Sequence, residues 1–369
     1  MKILFIGTNQ SLIFRRWVDW FINRGHTVGI IGKTKNYNSQ AKFYDISHPF
    51  GNVTQRTSPL GLAFQLIKIN RYIKNFKPDV IQCHSTFLYG IFVNLLKKKP
   101  NVISVWGSDI LINPKKSIIV KYLTKLALRR ADLVTSESHF IANACLALAP
   151  KIKIELIQFG VDFSVLEKIN NVECKFKFSS DKLILFPRGL DSTYNPEVFV
   201  EAIPHVLKII PDAIFIFKYF NNNRNKNNLY TIKQKINALE IHPNNYMFIN
   251  ELSYLELLKL YSISRIFLSI PYSDSISITL VEGMIMGCIP IVSDLEVNHE
   301  IVEENKLFVP VDPEKLAHKI MEVFSNYTYY QNYVLNSKRK LLDKFNQQTN
   351  MLKMENLYSK IMNKTTYNA

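Results

Sequence analysis

A serine-rich segment around residue 275 carries the residues best suited to chemistry. A strand is predicted at 266–270, and after a loop a short helix is expected to begin near Thr279. The N-terminus of a helix presents free N–H groups and partial positive charge, which suits a phosphate or a diphosphate. Glu282 can accept hydrogen bonds from two hydroxyls, such as those of a ribose, and Asp274 can accept them from a sugar. Structural alternatives remain: Thr279 and Glu282 have capping-box spacing, and Asp274 is a common turn residue.

A candidate cation, Arg188, follows a strand predicted at 182–186 and precedes a helix expected to begin at Pro196 after the cap Asn195. A guanidinium in this loop can bind a diphosphate through two hydrogen bonds and neutralise a leaving group. The alternative is a surface arginine.

Three more candidates follow strands in the first half of the chain. His84 can bind a ligand or act as a base, although a lone histidine in this position is more often structural. Asp109 can accept from a sugar hydroxyl or cap the turn after Gly107. Trp106 can stack on a sugar face or pack in the core.

The elements that must position these residues alternate between strands and helices. Two series of strands are predicted, at 2–6, 27–31, 79–82, 102–105, 132–135 and 153–157, and then at 182–186, 213–217, 246–249, 266–270 and 289–292. Several are continuous apolar runs, which indicates parallel sheets covered on both faces by helices. Residues 330–364 are expected to be helical, and the asparagine-rich run 221–228 is expected to be a solvated loop. Ligands of such sheets bind beyond the carboxyl ends of the strands, where the candidates lie.

Length and composition limit the classes to which the protein can belong. The 369 residues suit two domains, and 47% hydrophobic with 21% charged residues is ordinary globular composition. No apolar run is long enough for a membrane-spanning helix, and the N-terminus is predicted to be a strand rather than a signal peptide. The cysteines are scattered, which favours a reducing compartment over a zinc site or disulfides. Dinucleotide, P-loop, zinc-protease and α/β-hydrolase motifs are absent, as is a DxD pair that would chelate a metal.

The net charge of +16 is concentrated in one half of the chain. Residues 1–165 contain 23 Lys and Arg against 8 Asp and Glu, a balance of +15, and residues 166–369 contain 23 against 22. This asymmetry indicates an anionic partner for the first half, either a membrane surface or nucleic acid. A basic stretch at 115–130 has helical spacing and suits an anionic leaflet, although a solvated basic helix face is an equal alternative.

Taken together, these segments resemble the family-4 retaining glycosyltransferases (glycosyl transferases group 1), from residue 1 to about residue 360. The strongest match is LVEGMIMGCIP at 280–290. The other matching segments are 24–28, 77–84, 105–109, 130–138, 159–162 and 298–302. The family has the α/β GT-B fold of two facing Rossmann-like domains with parallel sheets. The resemblance therefore implies an acceptor-side domain at 1–165, a donor domain at 166–345 and a C-terminal helical segment at 346–369 that packs back across the cleft.

The resemblance also implies site residues. The family's acidic pair corresponds to Asp274 and Glu282, which would hold the transferred sugar and the nucleotide ribose, and Arg188 corresponds to the phosphate-binding arginine. These three residues and Asp109 are the catalytic candidates. The donor-binding candidates are Arg188, Asp274, Ser275, Ser277, Thr279, Leu280 and Glu282. The acceptor-side candidates are His84, Trp106, Asp109, Arg15 and Arg16.

This chain departs from the family at several positions. Trp106 stands where many members have a histidine, so that catalytic residue is not carried over. Thr193 and Tyr194 replace a phosphate-binding lysine, which leaves the second phosphate contact open among Arg15, Arg16 and Lys218.

The resemblance implies a metal-independent hexosyltransferase that uses a nucleoside diphosphate sugar and no cofactor. Its acceptor would be a glycan or lipid-linked glycan of cell-surface polysaccharide or glycolipid biosynthesis, at the inner face of the cell membrane in the cytoplasm. A non-catalytic GT-B-like scaffold protein that binds a nucleotide sugar is the alternative, and nucleic-acid binding has only the net charge in its favour.

Overall fold

The computed structural model describes residues 1–8, 11–32, 40–46, 59–220, 223–250 and 252–366. The chain divides into two compact units. Unit 1 contains Met1–Phe159 and Gln348–Ala369, and unit 2 contains Gly160–Gln347. Each unit has its own parallel sheet, as expected for strands that alternate with helices.

Unit 1 is built on a seven-stranded parallel sheet in the order β3-β2-β1-β4-β5-β6-β7. The strands are β1 (Lys2–Ile6), β2 (Thr27–Gly32), β3 (Lys42–Asp45), β4 (Val80–His84), β5 (Asn101–Ser104), β6 (Leu133–Ser136) and β7 (Ile154–Leu156). The helices are α1 (Leu12–Asn23), α2 (Pro59–Phe76), α3 (Ile91–Leu95), α4 (Ser108–Leu111), α5 (Asn113–Lys116), α6 (Ile118–Arg130) and α7 (His139–Leu148). The central strands are apolar and buried because helices cover the sheet.

The last helix, α14 (Gln347–Thr366), belongs to unit 1 for nearly all of its length. Tyr358 is fully buried, and its hydroxyl donates to Gln82 Oε1 on β4 at 2.7 Å. Gln82 in turn donates to Ser104 Oγ on β5 at 2.8 Å. Glu355 forms ion pairs with Arg24 and His26 beside β2. The end of the chain therefore completes the first unit.

Unit 2 is built on a six-stranded parallel sheet in the order β10-β9-β8-β11-β12-β13. The strands are β8 (Leu183–Phe186), β9 (Ile214–Lys218), β10 (Tyr246–Ile249), β11 (Ile266–Ser269), β12 (Ile289–Ser293) and β13 (Phe308–Val309). The helices are α8 (Pro196–Leu207), α9 (Asn223–Ala238), α10 (Tyr254–Ile263), α11 (Ile278–Ile285), α12 (Pro313–Ser325) and α13 (Tyr327–Lys344). A 3-10 helix at Phe163–Asn171 lies near the start of the unit.

A close contact between α11 and β11 depends on Gly283. A Cβ atom at this position would lie 2.7 Å from Cδ2 of Phe267, whose side chain is fully buried in the sheet. Because no real Cβ tolerates that distance, glycine lets α11 lie directly on β11. The start of the helix is thereby held at the carboxyl edge of the sheet.

The predicted fold class, two Rossmann-like α/β domains with parallel sheets and a helical C-terminal segment, is confirmed. Two edge strands, β3 and β13, were not predicted. Within the run 221–228, residues 221 and 222 lie outside the described residues. The loop expected there is wrong from Asn223 onward, because α9 begins at that residue.

Candidate functional site

The loops after β8 and β11 meet at the carboxyl edge of the unit 2 sheet, where two neighbouring strands end. The Asn195 side chain donates to the carbonyl of Ile270 at 2.7 Å, and the amide of Tyr272 donates to the carbonyl of Thr193 at 3.0 Å. Asn195 was expected only to cap α8, but its side chain makes no capping hydrogen bond to that helix. It instead ties together the two loops that carry Arg188 and Asp274.

Arg188 is the centre of a polar cluster at this edge. Nη2 donates to Asp274 Oδ2 at 2.7 Å, and Nη1 donates to Ser277 Oγ and to Thr279 Oγ1, the latter at 3.2 Å. The guanidinium also lies 4.7 Å from the ring centre of Tyr194. The side chains of Arg188 and Asp274 are only 10% and 14% exposed. The donor-binding candidates of this loop are therefore organised around one cation.

Burial and charge act in opposite directions on this pair. Burial alone would lower the pKa of Arg188, but Asp274 and Tyr194 outweigh it and the pKa is raised, so the guanidinium stays charged. Burial raises the pKa of Asp274, while Arg188 and the Ser275 amide, which donates to Oδ1 at 3.0 Å, oppose the rise. Such a pair can exchange an internal partner for an incoming anion or hydroxyl.

The cluster lies at the N-terminus of α11. Ser277 is the N-cap and its hydroxyl accepts from the Leu280 amide at 3.3 Å. Thr279, the cap of the alternative capping box, lies inside the helix, and its hydroxyl contacts Arg188 and Ser277 instead. The capping-box alternative for Thr279 and Glu282 is therefore wrong. Leu280 is fully buried and anchors the first turn.

Glu282 lies one turn further along α11 and is 3% exposed. Its Oε1 accepts from the Tyr254 hydroxyl, on α10, at 2.6 Å. Burial and this hydrogen bond hold the Glu282 carboxylate in a fixed position. Tyr254 was not predicted, and only its aromatic position near a helix start gave any signal.

The candidates of unit 1 lie at the carboxyl edge of the other sheet. Asp109 is 2% exposed, and its two oxygens accept from the amides of Thr86 at 2.7 Å and Trp106 at 2.9 Å. Burial raises the pKa of this carboxyl, and the two amide hydrogen bonds oppose the rise. The side chain thus ties together the loops after β4 and β5.

His84 and Trp106 lie in an aromatic cluster beside Asp109. The imidazole is 2% exposed and its ring centre lies 4.9 Å from that of Trp17, 5.0 Å from Phe14 and 5.7 Å from Trp106. Neither ring nitrogen has a hydrogen-bond partner among the described residues. Burial lowers the pKa of His84 to about 3, so the ring is neutral.

The remaining candidates, Arg15 and Arg16, lie on α1 and are half-buried. The structure thus gathers the donor-side candidates of unit 2 into one cluster. In unit 1 it gathers His84, Trp106 and Asp109. Within the described ranges, no three side chains of His, Cys, Asp or Glu converge as a metal site would require. Among the same residues, no helix has the length and hydropathy needed to cross a bilayer.

The basic stretch of unit 1 forms α5 and α6 and exposes apolar side chains as well as charge. Ile118, Ile119 and Tyr122 are 84%, 67% and 65% exposed. Between Asp109 and Asp132 the sequence has no acidic residue. It has six basic ones, Lys115, Lys116, Lys121, Lys125, Arg129 and Arg130. We call this surface, residues 112–130, the basic–apolar patch.

Two family models match the chain. The family described as Glycosyl transferase 4-like matches residues 2–138, and Glycosyl transferases group 1 matches residues 168–340. A comparison with curated proteins found no match.

Among solved structures, HepE of Anabaena, in complex with UDP and glucose, is 16% identical with a TM-score of 0.78, over 98% of this chain and 100% of its own. Sucrose-phosphate synthase of Thermosynechococcus elongatus is 15% identical with a TM-score of 0.77, over 98% of both chains. A trehalose-6-phosphate synthase, studied for glycosyl transfer with retention, is 10% identical with a TM-score of 0.75, over 98% of this chain and 99% of its own. These likenesses show the GT-B fold.

Apart from 159–162, the segments that the sequence shares with the family-4 enzymes fall within the two matched ranges, and the Arg188 cluster at the start of α11 lies in the second of them. The chain therefore belongs to the glycosyl transferases of group 1, with a glycosyl transferase 4-like N-terminal region, and is a glycosyltransferase of the GT-B fold.

Proposed function

We propose that this protein transfers a sugar from a nucleoside diphosphate sugar to a glycan or lipid-linked acceptor, with retention of anomeric configuration. The observation that carries the proposal is the polar cluster of Arg188, Asp274 and Ser277 at the N-terminus of α11, one turn from the buried Glu282. The cluster combines a charged guanidinium with a helix N-terminus, and both favour a diphosphate.

Each part of the nucleotide sugar, the diphosphate, the transferred sugar and the ribose, has a binding partner at this edge of the sheet. Arg188 and the first amides of α11 bind the diphosphate, and Asp274 passes from Arg188 to the hydroxyls of the transferred sugar. Glu282, oriented by Tyr254, accepts from the ribose hydroxyls. The HepE complexes with UDP and UDP-glucose support a nucleotide sugar as the donor class.

The reaction needs positioned charge more than a protein base. The bond between the anomeric carbon and the phosphate oxygen breaks, and its electron pair stays on the leaving diphosphate. The acceptor hydroxyl attacks from the same face, and its proton passes to that leaving oxygen. Arg188 and the helix N-terminus stabilise the charge that develops there, so neither a metal ion nor a further cofactor is required. The retaining trehalose-6-phosphate synthase of similar fold supports this stereochemistry.

The basic–apolar patch supports an acceptor at a membrane, in the cytoplasm at its inner face. Exposed isoleucines flanked by lysines suit the interface of an anionic bilayer, where the apolar side chains insert and the charges bind headgroups. Lipid-linked glycans of cell-surface polysaccharide or glycolipid biosynthesis are presented at such a surface. In this proposal the excess positive charge of residues 1–165 binds a membrane and not a nucleic acid.

The first test is thermal unfolding of the protein with UDP-, GDP-, ADP- and CMP-sugars. A ligand that binds only the folded state raises the midpoint, and we expect one of the UDP-, GDP- or ADP-sugars to do so, whereas CMP-sugars, which have a single phosphate, should not. Incubation of that donor with extracts of lipid-linked glycans should then release the nucleoside diphosphate. Donor binding without turnover on any acceptor would instead favour a scaffold protein, and stabilisation by none would contradict the proposal.

The membrane part has its own test. We expect the wild type to float with vesicles of phosphatidylglycerol and not with phosphatidylcholine alone, and the Ile118→Ser/Ile119→Ser variant to lose most of this binding. Ile209→Ser is the matched control, because this isoleucine of unit 2 is 69% exposed outside the patch. Equal flotation of both variants would contradict the assignment. Salt-sensitive binding to RNA or DNA without vesicle binding would favour nucleic acid instead.

A further inference from the structure

Lys218 is the last residue of β9 and lies at the same sheet edge as the Arg188 cluster. β9 pairs with β8 in a register that places Phe217 beside Phe186. The next residue of each strand direction, Lys218 on β9 and Pro187 after β8, therefore lies at the same level of the sheet. Neighbouring strands are about 4.8 Å apart. Lys218 and the loop that carries Arg188 are therefore neighbours at the edge where parallel sheets bind their ligands.

This lysine is buried without an anion. It is 7% exposed, and its ammonium lies 3.7 Å from the ring centre of Phe220. No carboxylate among the described residues forms an ion pair with it, and burial lowers its pKa to about 8. Buried lysines are normally paired because desolvation of an ammonium is costly. An unpaired one at a ligand-binding edge indicates that its anion comes from outside the chain.

Phe220 connects this lysine to Arg188. The aromatic ring packs on Gly189, where a Cβ would lie 3.2 Å from two ring carbons, and Gly189 adopts a φ of +84° directly after Arg188. The Phe220 ring is 51% exposed, whereas Lys218, whose ammonium it contacts, is buried. Asp274, a carboxylate at this edge of the sheet, is paired with Arg188.

We propose that Lys218 is the second cation of the site and binds the diphosphate of the donor together with Arg188. This inference rests on the proposed function. The sequence left the second phosphate contact open among Arg15, Arg16 and Lys218. We assign it to Lys218, which belongs to unit 2 like Arg188. On departure of the diphosphate, Lys218 stays protonated and neutralises part of the charge that the leaving oxygen gains.

The test compares Lys218→Met with Lys218→Arg and the matched control Lys233→Met. Lys233 also lies over a phenylalanine, with 5.5 Å between its ammonium and the Phe248 ring, but it is exposed. Calorimetry measures the affinity of UDP, GDP, ADP and CDP and of the four corresponding nucleosides for each full-length protein. We expect Lys218→Met to weaken the preferred diphosphate by about 10- to 100-fold and its nucleoside by less than about 3-fold.

The other variants separate charge from folding. Lys218→Arg should keep most of the diphosphate affinity, and Lys233→Met should behave as the wild type. Lys218→Met should also raise the unfolding midpoint of the ligand-free protein, because it removes a desolvated charge. A merely structural lysine would instead give a lower midpoint and an unchanged ratio of diphosphate to nucleoside affinity.

Two failures are distinguishable. If the wild type binds a nucleoside diphosphate and Lys218→Met binds it equally well, the inference about Lys218 is wrong and the proposed function stands. If the wild type binds none of the four diphosphates, the proposed function itself fails, and the inference fails with it.

Discussion

At the carboxyl edge of the unit 2 sheet, a charged guanidinium is paired with Asp274 and lies at a helix N-terminus. At the same edge of the unit 1 sheet lie a neutral His84 among aromatic rings and an Asp109 whose oxygens accept from two backbone amides. The first arrangement can exchange internal partners for a ligand. The second holds loops and an aromatic surface in place.

Both edges are produced by the same alternation of strands and helices in a parallel sheet. The difference lies in the loop residues after each strand, and in whether a polar side chain is satisfied by backbone or by another side chain. Fold alone therefore does not assign chemistry to an edge, and the pairing of the polar groups does.

The largest effect is expected from Arg188→Met. It removes the cation of the cluster and leaves the buried Asp274 carboxylate without its counter-charge, so turnover should fall roughly 10³-fold and stability by about 3 kcal/mol. Adding Asp274→Asn should restore stability but not turnover, as measured by urea unfolding and donor consumption. Arg265→Met, which breaks the exposed pair with Asp181, should cost about 1 kcal/mol or less and no turnover. Full activity of Arg188→Met would show that the charged edge of unit 2 does not take part in the reaction.

Glu282→Gln should keep the fold and lower turnover by roughly 100-fold, because an amide replaces the carboxylate that we propose accepts from two ribose hydroxyls. Glu314→Gln is the control, since Glu314 is an exposed glutamate in the first turn of α12. Steady-state kinetics with the identified donor measures both. Unchanged turnover of Glu282→Gln would exclude this residue from the site.

Asp109→Asn tests whether unit 1 has a catalytic carboxylate. An asparagine offers one acceptor oxygen where Thr86 and Trp106 need two, so stability should fall by about 2 kcal/mol. Donor affinity should not change, and turnover per folded molecule should fall less than about 3-fold. Asp79→Asn, at an exposed carboxylate that accepts from the Lys2 amide, should cost less than about 1 kcal/mol. Normal stability with turnover lost would show that Asp109 acts directly on the acceptor.

The smallest effect concerns pH. A free histidine gains a proton near pH 6.5, whereas His84 does so only near pH 3, so acid favours the unfolded chain. Between pH 7 and 5.5 this contribution should cost about 1 kcal/mol, and His84→Phe should abolish it. Urea unfolding at both pH values measures the difference, with the exposed His318→Gln as control. An equal loss in His84→Phe and wild type would mean that the imidazole is not neutral.

The interior of both sheets was predictable because strands buried on two faces are continuous apolar runs, as in β1 and β9. The missed strands are edge strands. β3 (Lys42–Asp45) has a charged residue at each end, and β13 (Phe308–Val309) has only two residues. The polar start of α9 was also missed, because Ile232 and Ile236, buried further along the helix, stabilise it through tertiary packing.

The residues of the candidate site were predictable from type and order, but their pairing was not. Ser277 and Thr279 both have hydroxyls that can cap a helix, and only the structure shows that Ser277 is the cap and that both hydroxyls accept from Arg188. The role of Asn195 depends on Ile270, 75 residues away. Such contacts depend on tertiary packing that no local spacing encodes.

Because α14 completes unit 1, this unit can finish folding only after the end of the chain has been synthesised. The ribosome makes the whole of unit 2, residues 160–347, between the two parts of unit 1. At about 5–20 residues per second, this takes roughly 10–40 s. During that time Gln82 lacks its hydrogen bond from Tyr358, and Phe21 lacks the ring that later packs 5.3 Å from it. The nascent first unit therefore exposes an unfinished apolar surface, which can aggregate or bind a chaperone, until the last helix leaves the ribosome.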